Sequence, residues 1–161
     1  MQIIKNRTIV EDSWQLLGMD EPLVDGDIIV PFERWQAERD QLLAHNGSLG
    51  VKISAGQKLS EVVDSLPHFK IIALEFEKFS DGRGYSYAHL LRERYHYSGE
   101  IRAVGDVLHD QLAYMGRCGI NSFMLCDGQD LQEALHAFDD FSIHYQTATD
   151  GAEPIYRQRQ A

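Results

Sequence analysis

Residues 49–76 read LGVKISAGQKLSEVVDSLPHFKIIALEF, and two kinds of pattern alternate along them. The short apolar run from Leu49 to Ile53 predicts a strand, and apolar side chains recur at helical spacing from Lys58 to Leu66. The next run, from Lys70 to Phe76, is apolar along nearly its whole length, which is typical of a strand covered on both faces. This order of strand, helix and strand predicts a βα unit of a parallel sheet.

The same alternation continues towards the C-terminus and predicts about four βα units. The further elements are helices at Tyr85–Tyr97, Val107–Arg117 and Asp130–Phe138, strands at Ile101–Val104 and Ser122–Leu125, and an edge strand from Phe141 to Tyr145. We therefore expect an α/β fold with a mainly parallel sheet, which is either flavodoxin-like or half-barrel-like.

The N-terminal third predicts a β-hairpin and a helix in front of this sheet. Asn6 and Arg7 separate two short β-like runs and suit a turn, and Pro31 suits the first position of a helix that contains Trp35. We expect a single domain over residues 1–161, made of an N-terminal extension (1–47), a βα core (48–146) and a flexible tail (147–161).

Composition restricts the class of protein. A chain of 161 residues that is 43% apolar can bury one core, and its net charge of −10 opposes nucleic acid and anionic membranes. No apolar run has the length of a signal peptide or a membrane span, so we expect a cytoplasmic protein that binds neither partner. Cys118 and Cys126 cannot hold a metal alone, and the histidines lack paired spacing, so we expect no metal site.

The negative charge is unevenly distributed along the chain. The stretch from Asp81 to Ile120 holds five acids and five bases, and every base in it is an arginine. The planar guanidinium fork suits bidentate pairing with carboxylates or with oxyanions. These arginines therefore predict either structural ion pairs or a site for a small anion.

Polar loops follow each predicted strand of the βα core. They are Ser54–Gly56, Glu77 with residues 80–86, Gly105–Asp106 and Asp127–Gly128. Because the carboxyl ends of parallel strands meet at one edge of a sheet, and ligands bind there in α/β folds, we expect these loops to form the functional site.

The second of these loops is the strongest candidate for an anion cradle. Gly82 and Gly84 precede a helix whose N-terminal N–H groups favour negative charge, and Arg83 adds a fork for the same anion. The pattern also begins like a dinucleotide fingerprint, but Tyr87 stands where the third glycine belongs. A tight loop without any ligand is the simpler alternative.

Three aspartates are candidates for acid–base chemistry at this edge. Asp81 precedes the two glycines, Asp106 follows a strand, and Asp110 lies beside His109 in the first turn of the next helix. Helix capping by Asp106 and ordinary solvation of the first-turn residues explain the same positions without catalysis.

Four segments together resemble a bacterial family of uncharacterised proteins. They are FSDGRGYS (79–86), LRER (91–94), GEIRAVGDVLHDQL (99–112) and MGRCG (115–119). Members of the family carry the label "probable oxidoreductase involved in sulfite reduction" and are encoded beside assimilatory sulfite-reductase genes. The resemblance implies a pathway and a partner in it, and it assigns no catalytic residue and no cofactor.

The first hypothesis is an accessory protein of sulfite or sulfate reduction, an oxidoreductase or not, that binds a small oxyanion at the carboxyl edge of the sheet. Its candidate residues are Asp81, Asp106 and Asp110 for acid–base chemistry and Gly82, Arg83, Gly84, Arg92, Arg94, Arg102 and Arg117 for anion binding. The second hypothesis is a non-enzymatic adaptor that docks sulfite reductase or pairs as a homodimer. A nicotinamide- or flavin-dependent oxidoreductase ranks third, and the cofactor stays unassigned.

Overall fold

The structure is a computed structural model that describes residues 1–78, 81–139 and 144–158. Its strands are β1 (Gln2–Lys5), β2 (Thr8–Glu11), β3 (Gln15–Leu16), β4 (Ile28–Pro31), β5 (Leu49–Ile53), β6 (Ile71–Phe76), β7 (Glu100–Gly105) and β8 (Ser122–Phe123). They form one eight-stranded sheet in the order β2-β1-β8-β7-β6-β5-β4-β3. Strands β3 to β8 are parallel and follow chain order, whereas β1 is antiparallel to both β2 and β8.

Helices connect the parallel strands. They are α1 (Phe32–Ala37), α2 (Arg39–Leu43), α3 (Leu59–Val62), α4 (Arg83–Glu93) and α5 (Leu112–Arg117), and two further helices, α6 (Leu131–His136) and α7 (Ile155–Gln158), follow β8. Because crossovers between parallel strands are right-handed and these strands keep chain order, the connecting helices lie on one face of the sheet. We call this face, which the helices cover, the outer face of the sheet. The main core forms between it and the helices, with Phe76 from β6, Leu91 from α4 and Met115 from α5 all fully buried.

The strand order decides between the two expected architectures. A flavodoxin-like sheet reverses its strand order at a switch point, but here the parallel strands run without reversal from β3 to β8. The α/β prediction is confirmed, and the half-barrel-like alternative is the one that fits. A further βα unit, β4 with α1, precedes the four predicted units, because the buried run at Ile28–Pro31 joins the sheet.

The predicted N-terminal hairpin is present. Asn6 and Arg7 have φ values of 50° and 59°, the left-handed pair that a two-residue hairpin turn requires. Ile4 of β1 also pairs with Phe123 of β8, so the hairpin extends the main sheet.

The sheet is strongly curled because its two edges are joined by a very short link. Strand β2 ends at Glu11 on one edge and β3 begins at Gln15 on the other, so only residues 12–14 connect them. That link reaches about 14 Å at most, whereas eight flat strands spaced about 4.8 Å apart would separate the edges by about 34 Å. The sheet therefore bends into a half-barrel, and its inner face buries Ile29, Ile71 and Val104.

A buried ion network crosses this inner face. Arg102 of β7 is 2% exposed and donates to both carboxylate oxygens of Asp12, at 2.8 and 3.0 Å. Its Nε donates to Glu100 at 2.9 Å, and the same carboxylate binds Lys5 Nζ of β1 at 2.7 Å. Burial raises the pKa of Glu100, but the contacts with Lys5, Arg102 and Ser122 outweigh burial and lower it. Arg102 thus fastens the edge link to the sheet.

Several element bounds differ from the sequence prediction, for local reasons. The helix expected from Val107 begins later, because Gly105 turns the chain at φ +94° and a 3-10 turn over His109–Gln111 precedes α5. Asp106 is therefore not a helix cap. Helix α3 passes into a 3-10 turn over Val63–His68 that contains a proline. The expected edge strand at 141–145 falls largely on 140–143, outside the described residues.

No helix in the described part of the chain combines the length and the apolar character needed to cross a membrane.

We predict that Arg102→Met lowers the free energy of unfolding by about 3–5 kcal/mol, because Asp12 keeps its buried charge and loses its partner. Urea denaturation measures the loss. Arg94→Met, which removes an exposed arginine, is the matched control and should change stability by about 0.5 kcal/mol or less. A loss below about 1 kcal/mol for Arg102→Met would show that the edge link is held by other contacts.

Candidate functional site

Three polar side chains meet where β5 and β6 end, in the opening of the curled sheet, which we call the mouth. Alternation along the strands places Lys52, Ser54 and Glu75 on the inner face, because their neighbours belong to the helix-covered core. Lys52 Nζ lies 2.6 Å from Glu75 Oε1, and the Ser54 hydroxyl donates to Glu75 Oε2. The side chains of Lys52 and Glu75 are 20% and 24% exposed. We call these three residues the Glu75 cluster.

Glu75 is the acceptor at the centre of this cluster. Burial raises the pKa of its carboxyl, but the hydrogen bonds from Lys52 and Ser54 and the charge of Lys52 outweigh burial, so the pKa is lowered. Glu75 is therefore ionised at neutral pH and fixes the orientation of both donors. The arrangement suits charge-assisted binding of a polar ligand better than proton abstraction, because a lowered pKa makes a weak base.

Sequence analysis did not single out Lys52 and Glu75. The available signal was a charged residue inside each of two otherwise apolar strand runs, LGVKI in β5 and IIALEF in β6. A charged side chain within a buried strand needs a partner of opposite charge. A lysine and a glutamate on neighbouring strands can form such an ion pair. That pattern predicts a cross-strand pair once the two strands are known to be neighbours.

The Arg83 loop, Asp81 to Gly84, lies beside the Glu75 cluster at the start of α4. Asp81 accepts from Arg83 Nε at 3.0 Å, from Nη2 at 2.7 Å and from its backbone N–H at 3.1 Å. These hydrogen bonds lower the pKa of Asp81 to about 2, while 57% of the Arg83 side chain is exposed. Ser54, Glu75 and Arg83 line one shallow crevice. Residues 79 and 80 of the motif lie outside the described residues.

The two glycines of the loop differ in what surrounds them. A Cβ on Gly82 would meet nothing within 4 Å, whereas a Cβ on Gly84 would lie 2.5 Å from the Phe76 ring. Gly105 packs on the same residue, since a Cβ there would lie 2.5 Å from the Phe76 carbonyl oxygen. Packing against Phe76 therefore accounts for Gly84, and only Gly82 faces open space.

The dinucleotide alternative loses support from the same region. The Tyr87 hydroxyl donates to the Gln57 carbonyl at 2.6 Å, so this side chain packs α4 against the loop after β5. The fingerprint requires a third glycine at that position so that the helix can pack closely on the strand. The uninterrupted strand order also lacks the switch point at which such cofactors bind.

The other two candidate aspartates lie on different elements from the Arg83 loop. Asp106 follows β7, and its backbone N–H donates to the Phe76 carbonyl at 2.7 Å. Asp110 lies in the 3-10 turn before α5 and lines a separate groove on the outer side of the sheet. Of the three aspartates, Asp81 is the one that pairs with Arg83, which lines the crevice beside the Glu75 cluster.

The remaining arginines also lie away from the mouth. Arg92 donates to the carbonyls of Tyr97, Gly99 and Gly119 at 2.6–3.0 Å, and burial lowers its pKa. Arg94 is exposed at the end of α4, with its guanidinium 5.6 Å from the centre of the Tyr95 ring. Arg102 belongs to the buried network, and Arg117 pairs with Asp150 at 2.9 Å. Arg83 is thus the arginine of the predicted set that stands at the carboxyl edge.

Metal-binding and thiol chemistry have little structural basis here. Across residues 1–78, 81–139 and 144–158, no three histidine, cysteine or carboxylate side chains are grouped to hold a metal ion. Cys118 and Cys126 are partly buried free thiols, and burial raises the pKa of Cys118. A raised pKa lowers the thiolate fraction, which fits a packing role for Cys118.

Comparison with known proteins yields one match. A family model described as "Bacterial protein of unknown function (DUF934)" matches residues 50–156, which include β6, the Arg83 loop and α5. The chain belongs to this family. No curated protein and no solved structure matches the chain significantly. The family description states no activity, so the function of this member has to be argued from its own residues.

For this family member we predict opposite outcomes for the two loop glycines. Gly84→Ala should lower the free energy of unfolding by about 1–3 kcal/mol, because the new methyl group overlaps the Phe76 ring. Gly82→Ala, the matched control two residues earlier, should change it by about 0.5 kcal/mol or less. Thermal or urea denaturation distinguishes the two. Equal losses would contradict packing as the reason for Gly84.

We also predict a pH-dependent contribution from Glu75. A lowered folded-state pKa means that the unfolded chain binds the proton more tightly, so Glu75 stabilises the fold above its ordinary pKa of 4.5. That contribution is lost as the pH falls through the folded-state pKa. The stability difference between the natural chain and Glu75→Gln should therefore be largest near neutral pH and shrink on acidification below pH 4.5.

Urea denaturation between pH 3 and pH 7 measures this difference on the scale where carboxylates titrate. Glu77→Gln, which removes an exposed carboxylate just after the same strand, controls for the loss of one negative charge. A difference for Glu75→Gln that is constant over this range would show that its pKa is the same in the folded and unfolded states.

Proposed function

We propose that the chain is a cytoplasmic accessory protein of assimilatory sulfite and sulfate reduction that binds a small oxyanion at the carboxyl edge of its sheet. The pathway comes from the resemblance of segments 79–86, 91–94, 99–112 and 115–119 to proteins carrying the sulfite-reduction label. The proposed binding site is the Arg83 loop. The proposal leaves open whether the protein also performs a redox step.

The observation that supports the anion site is the pairing of Arg83 with Asp81. Nε and Nη2 of Arg83 hold the two carboxylate oxygens at 3.0 and 2.7 Å, the parallel fork geometry that an oxyanion also uses. Asp81 fixes the guanidinium in place, so a ligand does not have to order this long side chain on binding. In the described part of the chain, Nη1 donates to no acceptor and is directed to an incoming anion under this proposal.

The charge balance of the crevice sets the expected affinity. Asp81 and Glu75 offset Arg83 and Lys52, so no surplus positive charge attracts the anion. Binding would then rest on a few hydrogen bonds to Arg83 and to the open backbone at Gly82. Such a site predicts a dissociation constant of about 1 mM, which corresponds to about 4 kcal/mol.

The adaptor hypothesis has a weaker basis in the fold. The large aromatic side chains Phe32 and Trp35 of the N-terminal third are buried, and Trp35 Nε1 donates to the Ser65 hydroxyl at 3.1 Å, so they offer no docking surface. The sheet edges at β2 and β3 are joined through residues 12–14, which limits their use for pairing with another chain. Docking of sulfite reductase would have to use a different surface.

The anion site is tested by NMR titration of the protein with sulfite and sulfate, with chloride as the reference salt. We expect the amide signals of Gly82, Arg83 and Gly84 to shift and saturate in the millimolar range with the oxyanions only. Arg83→Gln should weaken binding at least tenfold, because it removes a charge-assisted pair of hydrogen bonds. Arg39→Gln, which removes an exposed arginine on α2, should leave binding unchanged.

The pathway is tested in cells that lack the gene and grow on sulfate or on cysteine as the sulfur source. The natural chain and Arg39→Gln should restore growth on sulfate, Arg83→Gln should not, and growth on cysteine should need none of them. If Arg83→Gln restores growth and the titration leaves the loop signals unmoved, the anion site is wrong. Co-purification of the chain with sulfite reductase would then favour the adaptor.

A further inference from the structure

A cavity of about 470 Å³ lies on the outer side of the sheet, between α4 and α5 and away from the mouth. Tyr85 and His89 of α4 form one wall, Tyr114 and Arg117 of α5 form the other, and residues 146–148 close one side. Its volume falls in the range of about 300–1,000 Å³ that is usual for small-molecule sites. We call it the α4–α5 cavity.

The lining of this cavity differs from the rest of the protein in charge. The chain carries −10 overall, yet among the described residues no carboxylate lines the α4–α5 cavity, whereas a larger groove on the far side of Tyr114 and Arg117 is lined by three aspartates. The basic groups on the cavity wall are Arg117 and His89. An anionic group is therefore better tolerated inside this cavity than in the neighbouring groove.

Aromatic rings supply the second part of the lining. Tyr85 and Tyr114 lie with ring centres 5.3 Å apart, and the Tyr114 side chain is 61% exposed although it stands beside this cavity. Tyr85 is itself fixed edge-on against Phe76, with ring centres 5.4 Å apart. A planar ring that entered the cavity would stack on Tyr114 and cover aromatic surface that is now open to water.

Arg117 is held at the boundary of the cavity by the C-terminal segment. Its Nε donates to Asp150 at 2.9 Å, one Nη donates to the Gln146 carbonyl at 2.5 Å, and Thr149 donates to the Arg117 carbonyl. Among the described residues, the other Nη has no acceptor. The guanidinium is thus oriented in advance and keeps one donor group for a ligand, while Ser86 and Thr147 add hydroxyls elsewhere in the cavity lining.

From these observations we propose that the α4–α5 cavity binds a planar aromatic molecule that carries one anionic group, with the ring on Tyr114 and the anion on Arg117. This ligand class is independent of the oxyanion proposed for the Arg83 loop. A carboxylate, a sulfonate or a phosphate supplies the same chemistry at Arg117, so the test includes a carboxylate and a phosphate.

The experiment is a calorimetric and NMR titration of the intact chain with 2-naphthoate and with AMP, each compared with its uncharged counterpart, 2-naphthalenemethanol or adenosine. We expect the anionic member of at least one pair to bind at least tenfold more tightly than its neutral partner, because a charge-assisted hydrogen bond contributes about 1.5–3 kcal/mol, which corresponds to that factor or more. Signals of Tyr85, His89 and Cys118 should shift. Arg83→Gln, which alters the separate Arg83 loop, should bind the probes like the natural chain.

Variants assign the binding to the cavity. Arg117→Gln should remove the preference for the anion, and Tyr114→Ala should weaken both members of the pair severalfold. Tyr114 is an exposed side chain, so its removal tests the site even if Arg117→Gln loosens the C-terminal segment. Tyr156→Ala and Arg157→Gln, which alter exposed residues of α7, are the matched controls and should bind like the natural chain.

Two results would overturn the proposal. The first is the absence of binding by both anionic probes at millimolar concentration. The second is binding that Arg117→Gln and Tyr114→Ala both leave unchanged, because the probe would then occupy another surface. Loss of probe binding in Arg83→Gln would assign the probe to the Arg83 loop instead. The anion site of that loop is judged separately, by its own titration with sulfite.

Discussion

The link between the two edges of the sheet is the constraint on which the rest of the structure depends. Residues 12–14 have to span from β2 to β3, so the sheet cannot stay flat. Because the sheet curls, its inner face is also buried. A charged side chain on that face is desolvated and needs a partner of opposite charge. Arg102, Glu100 and Asp12 satisfy one another at the centre of that face, while Lys52 and Glu75 do so where it opens to solvent.

Local sequence patterns were sufficient to predict most elements. Periodicity located β5 at Leu49–Ile53 without error, and Asn6 with Arg7 predicted the hairpin turn correctly. The predicted bounds were wrong where a single residue changed the conformation of the backbone. The chain turns at Gly105 with φ +94°, which delays the helix after β7 and excludes Asp106 from capping it. A glycine with positive φ cannot be distinguished from an ordinary loop glycine by sequence alone.

The candidate site was predictable only in part, because its residues are brought together by strand neighbours. The charge count had isolated a segment in which every base is an arginine. Whether each of these arginines stabilises the fold or stands at the mouth depends on side chains and backbone groups that are distant in the sequence. Arg92 satisfies backbone carbonyls, and Arg102 neutralises buried acids, so both serve the fold. Arg83 stands at the mouth because α4 begins directly after the loop that leaves β6. Lys52 and Glu75 needed the register of β5 and β6.

The pairing of the hairpin with β8 has a consequence for how the chain is made. Ile4 is synthesised well before its partner Phe123, which follows only after strands β3 to β7 have been made. Until then β1 presents an unsatisfied edge, and the inner face has no cover on that side. Such long-range pairing slows folding, because most of the chain has to be ordered before the contact forms. The nascent hairpin is therefore open to mispairing and to chaperone capture until β8 has been made.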